Sequence, residues 1–142
     1  MNRKQIILAL FLFITGIATA QKADDIIGKY HLPNKLDVEI YKTGDNYSGK
    51  IIALNGFENG QTTDVKNPDK SKRDTPLLGK VIITNLQFDE GSKQWINGTM
   101  YGSEKGMNIN LKITEMNEKE ITVIGSKFIF WKTLKWTRID NS

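Results

Sequence analysis

The feature that most constrains this chain is its alternation: between Ile26 and Ile139, apolar residues return at every second position in short runs. Nowhere do they recur every third or fourth position over the length of a helix. In a strand, successive side chains point to opposite faces, so period-two patterning describes sheets with one face buried and one wet. The runs are Ile26 to Leu32, Leu36 to Lys42, Tyr47 to Leu54, Lys80 to Phe88, Gln94 to Tyr101, Met107 to Thr114, Ile121 to Gly125 and Thr133 to Ile139. Leu36, Val38 and Ile40 share one face against Asp37 and Glu39. Met107, Ile109, Leu111 and Ile113 do the same against Asn108, Asn110 and Lys112.

The runs are separated mostly by short turns, such as Thr43-Gly44-Asp45-Asn46, Asp89-Glu90-Gly91-Ser92 and Asn117-Glu118-Lys119. Eight strands in sequence with short connections predict an all-β, up-and-down antiparallel meander. Closing it into a barrel removes its two unpaired edges. A two-sheet β-sandwich is the second choice, because it needs longer crossing connections than the chain offers. Two stretches interrupt the alternation. Asn55 to Thr75 is too polar for a strand and too long for a turn, which marks it as a candidate lid over a barrel mouth. Ser126 to Lys132 carries Phe128, Ile129, Phe130 and Trp131 in a row, and predicts an irregular segment that either plugs the barrel or forms an exposed apolar patch.

The N-terminus sets the compartment. Arg3 and Lys4 precede the apolar run Ile6 to Ile14, and Ala18-Thr19-Ala20 supplies small residues for a signal peptidase. The nine apolar residues are too few to span a bilayer, which needs about 20. Residues 1–20 are therefore expected to be a cleaved leader, and residues 21–142 one β-barrel domain. The expected location is the periplasm or exterior of a Gram-negative-type bacterium. After cleavage no membrane-spanning segment is expected. With no cysteine, the chain has neither disulfides nor thiolate metal ligands. Losing Arg3 and Lys4 leaves 18 basic against 16 acidic residues, well interspersed, which excludes a nucleic-acid footprint.

No arrangement of residues points to catalysis. His31 is the sole histidine, and no Gly-x-Ser-x-Gly elbow exists. Asp64, Asp69 and Asp74 recur at five-residue spacing, but the interleaved Lys66, Lys70, Lys72 and Arg73 favour a salt-bridge and Asx-turn network over a Ca²⁺ site. Glu39, Glu104 and Glu115 fall on separate runs or turns, so no carboxylate pair follows from spacing. No metal, no cofactor and no enzymatic activity are expected.

Several motifs stand in an order that resembles a bacterial exported family, the domain-of-unknown-function family 2147. They are Ile27-Gly28-Lys29-Tyr30, Val38-Glu39-Ile40-Tyr41, Tyr47-Ser48-Gly49-Lys50-Ile51, Thr63 to Asp69, Arg73 to Gly79, Trp95 with Gly98 to Tyr101 and Gly106, and Trp136-Thr137-Arg138. The likeness spans residues 26–139. It departs from the family pattern at Tyr30, where Trp is usual, at Ser48, where many members have Cys, and at Gly102-Ser103, where Asp-Pro is usual. The resemblance implies a lipocalin-like barrel in which an aromatic ring closes the bottom and a late arginine lies across it. Here that pair is Tyr30 and Arg138, with Gly28 and Trp136 as further structural positions.

The expected function is binding of a small apolar ligand. Candidate cavity or lid residues are Asp64, Asn67, Arg73, Trp95, Tyr101 and Met107. Small side chains at Gly49, Ala53, Gly98 and Thr99 are candidates for leaving the interior unfilled. The alternative is a non-enzymatic envelope protein that docks a partner through the apolar 126–132 segment.

Overall fold

The computed structural model describes residues 20–140, so the expected leader lies, but for Ala20, outside the described residues. Eight antiparallel strands form one closed barrel in sequence order. They are β1 (Gly28–His31), β2 (Asp37–Thr43), β3 (Asn46–Ala53), β4 (Val81–Asp89), β5 (Gln94–Gly102), β6 (Met107–Met116), β7 (Glu120–Lys127) and β8 (Phe130–Ile139). Each strand pairs with the next, and β8 returns to β1 through Lys29↔Ile139, Tyr30↔Arg138 and His31↔Thr137. The up-and-down barrel expected from the patterning is the observed fold, and the sandwich is not.

One end of the barrel is sealed. A single 3₁₀ turn, Ala23–Ile26, crosses that end and buries Ile26. Three interior aromatics hold it there. Tyr30 donates its hydroxyl to the Ile26 carbonyl at 2.7 Å, Trp95 its indole N–H to the Ala23 carbonyl at 2.9 Å, and Tyr47 its hydroxyl to Asp24. Gln21 ties the preceding residues down by donating to the Lys93 carbonyl and accepting from the Met116 N–H. Each large aromatic thus fills the core with its ring and satisfies its polar atom at the plug.

Arg138 lies under the same floor. Its guanidinium carbon sits 5.9 Å from the centre of the Tyr30 ring, and Nη2 donates to the Ile27 carbonyl at 3.2 Å. A Cβ at residue 28 would come within 3.3 Å of that nitrogen, so glycine there lets the guanidinium pass. Burial pushes the Tyr30 phenol up to about 12, against the opposing pull of the Arg138 charge.

Two expectations are corrected. Ser126 to Lys132 is not irregular. β7 runs on to Lys127 and β8 begins at Phe130, so only Phe128 and Ile129 form a turn, between the pairs Lys127↔Phe130 and Ser126↔Trp131. No buried core lies beneath this end of the hairpin, so nothing imposes alternation on its sequence. Nor do Gly49 and Gly98 leave the interior empty. Added Cβ atoms would meet Ile83 Cδ1 and Leu86 Cδ1, each at 2.8 Å, so those side chains already occupy the space. Ala53 is half-buried at the end of β3, and Thr99 borders a depression on the outer wall.

Candidate functional site

The end opposite the plug is built from the β1–β2 turn, the long β3–β4 loop, the β5–β6 turn and the β7–β8 hairpin. The long loop is anchored on its own account. Asp64, fully buried, accepts from the Tyr101 hydroxyl at 2.7 Å and from the Asn67 amide at 2.8 Å, and Lys80 Nζ stands 3.4 Å away. The same Lys80 ammonium lies 5.0 Å from the Tyr101 ring centre. Arg73 donates through Nε to the Asn67 carbonyl at 2.8 Å. Phe57 and Leu77 sink from this loop into the core. Burial, and then the hydrogen bond to Asp64, raise the Tyr101 phenol well above the ordinary tyrosine range. On the far side Lys66 donates to the Glu104 carbonyl, and a side chain at Gly106 would run into the Lys66 backbone.

At this end lies a cavity of about 320 Å³. Alternation along β5 to β8 points Met100, Ile109, Leu111, Val123, Leu134 and Trp136 into it. Gly125 also borders it, and a Cβ there would press against Ile109 Cδ1 at 3.0 Å. The remaining side is the β1–β2 turn, with Leu32, Pro33 and Asn34. Polar groups gather at the rim: Lys132, Glu104 and Asn34, the last donating to Glu104 at 3.4 Å. An apolar chamber with a few polar groups at its edge is the usual make-up of a small-molecule site.

The cavity lies in a gap of the barrel wall. The β1–β8 ladder stops at His31↔Thr137, whereas β8 continues from Trp136 up to Phe130 with no partner on that edge. β1 cannot follow it. Pro33 has no N–H to donate to a ladder, and the chain turns back at once, with Leu32 donating to the Leu36 carbonyl and Asn34 Oδ1 accepting from the Leu36 N–H.

The six residues expected to bind a ligand or form a lid do not meet here. Asp64, Asn67, Arg73 and Tyr101 build the loop anchor instead, and none borders the cavity. Trp95 belongs to the sealed end. Met107 lines an adjoining groove with Phe130 and Trp131. Of the residues assigned a structural role, Trp136 also borders the chamber. Of the actual lining, Ile109 and Leu111 lie on the apolar face that the alternation of the sixth run marked out. Which inward positions face a void is a matter of how neighbouring strands fill the space. His31 sits exposed at the end of β1 against Asp37 at 2.5 Å. Among the described residues no three His, Asp or Glu side chains converge as a metal site, and no helix is long and apolar enough to cross a membrane.

An eight-stranded up-and-down barrel with one sealed end and an apolar mouth is a lipocalin-like architecture. The comparisons agree. Residues 28–138 match the family described as "Uncharacterized protein conserved in bacteria (DUF2147)", and the chain belongs to that family. Among solved structures it resembles protein HP1028 from the human pathogen Helicobacter pylori, which belongs to the lipocalin family. The TM-score is 0.71 at 17% identity, over 82% of this chain and 84% of that one. No curated protein sequence matches the chain.

Proposed function

We propose that this chain is an exported, non-enzymatic binding protein that holds the hydrocarbon part of a small ligand in the barrel mouth. The observation that carries this reading is the cavity of about 320 Å³ walled by Met100, Ile109, Leu111, Val123, Leu134 and Trp136. Its size falls at the lower end of the range for small-molecule sites, and eight-stranded barrels of lipocalin type are wide enough for one small guest. Lys132, Glu104 and Asn34 at the rim would orient a polar head while the tail lies inside. Export is the role of the leader, residues 1–20.

Native mass spectrometry of protein purified from the bacterial periplasm tests this. The expected spectrum carries an adduct of a few hundred daltons, on the order of what such a volume admits, that organic extraction removes. Protein of bare polypeptide mass that also fails to enhance the fluorescence of an apolar naphthylamine probe would overturn the reading.

A further inference from the structure

The β7–β8 hairpin rises beyond the barrel. β6 pairs with β7 no further up than Asn110↔Ser126, and β1 pairs with β8 no further than His31↔Thr137, so the end of the hairpin pairs only with itself. Its last four apolar residues are the most exposed large hydrophobics among the described residues: Phe128 89%, Ile129 79%, Phe130 72% and Trp131 74%. Strand alternation sets Phe130 on the face of Leu134 and the mouth, and Trp131 on the opposite face, with Phe128 and Ile129 at the tip. Both faces of the end of the hairpin are therefore apolar, and the nearest charge is Lys127, opposite Phe130, whose ammonium lies 5.8 Å from the Phe128 ring centre.

Two further observations say what surrounds it. Phe128 holds φ +56°, a turn position that favours Gly or Asn, and yet presents an aromatic ring at the tip. Beneath the tip, Lys105, Lys127 and Lys132 share a groove with Phe130 and Trp131, and Glu104 is the one carboxylate lining it. A groove on a protein partner would cover one face of a hairpin. Hydrocarbon covers all of them, and a collar of lysines below a Trp-bearing apolar tip suits anionic headgroups at the water interface.

We propose that the β7–β8 hairpin inserts Phe128, Ile129, Phe130 and Trp131 into the surface of an anionic bilayer and seats the barrel mouth against the headgroups. The barrel itself stays outside the hydrocarbon.

The chain from Gln21 onward contains every strand and is the form to test. Of its three tryptophans, Trp95 and Trp136 are buried, so Trp131 alone reports on the tip. With vesicles of phosphatidylcholine and phosphatidylglycerol, the protein is expected to co-sediment, its emission to shift blue, and lipids brominated on the acyl chain to quench it. Phosphatidylcholine alone is expected to bind it more weakly, and added salt to weaken the binding to mixed vesicles. Phe128→Gly and Ile129→Ser should each lower partitioning about tenfold, the loss for one large apolar side chain left in water. Phe128→Gly also relieves the positive φ, so its melting temperature should hold or rise, which separates lost docking from lost folding. Sedimentation unchanged by both substitutions would overturn the proposal. So would a tip that binds no vesicle but mediates dimers abolished by the same substitutions, since the hairpin would then pair with a second copy.

Discussion

Lengthening a straight-chain alcohol one methylene at a time probes the barrel mouth directly. A methylene fills roughly the liquid volume of one water molecule, about 30 Å³, so the cavity of about 320 Å³ takes a chain of about ten carbons. Burying each methylene contributes about 0.8 kcal/mol, or about 8 kcal/mol for a full chain. Association itself costs at least about 4 kcal/mol in lost freedom, leaving a Kd of roughly 1 mM for a bare tail. A head group that hydrogen-bonds the Lys132 ammonium adds about 1.5–3 kcal/mol, which brings the Kd to roughly tens of micromolar. Isothermal titration calorimetry on ligand-stripped protein should therefore show affinity rising about fourfold per methylene, then levelling near ten carbons as further chain stays in water. Leu134→Trp, which adds bulk at the cavity wall, should shorten the optimum. Affinity that ignores chain length, or climbs without a break well past that limit, would refute the assignment of this chamber.

Three other outcomes follow from the geometry. Tyr30 titrates at about 12 in the fold against 10.0 as an ordinary phenol, so its contribution is complete below pH 10 and is lost as pH rises toward 12. Denaturant unfolding across that window should lose about 1.4 kcal/mol per pH unit from this group, and tyrosinate absorbance should lag until the barrel opens. Asp64→Ala removes the shared acceptor of Tyr101 and Asn67 and the counter-charge of Lys80. It should cost about 2–4 kcal/mol in denaturant unfolding and raise hydrogen exchange across residues 62–77, while leaving cavity binding in place. Gly98→Ala places a Cβ 2.8 Å from Leu86 Cδ1 and 2.9 Å from the Leu111 carbonyl. That overpacking should cost about 1–3 kcal/mol, read as a lower thermal midpoint.

How much was legible follows from the kind of information each feature needs. Strand parity is local: Leu36, Val38 and Ile40, and likewise Leu111 and Ile113, share a face read from their neighbours alone, and they are buried. The site needed relations across the barrel. Trp95 and Tyr101 read as cavity residues because they are large and lie on an alternating strand. Trp95 is instead committed to the Ala23 carbonyl, and Tyr101 turns outward to Asp64. Gly98 read as a gap, yet Leu86 from the neighbouring strand fills it.

The amino-acid order by itself determined eight alternating runs, their short turns and hence an antiparallel meander, because period two and turn chemistry are properties of adjacent residues; the choice of a closed barrel over a sandwich came with the β8–β1 pairing. It also marked Phe128 to Trp131 as an apolar run out of register with the rest. Only the tertiary structure decided that β1 stops at His31 while β8 runs on, that the long loop is pinned by Asp64, and that the empty space lies beside Leu134 rather than beside the glycines of β3 and β5. A void is the volume that side chains from many strands fail to fill together, and no single run of sequence records it.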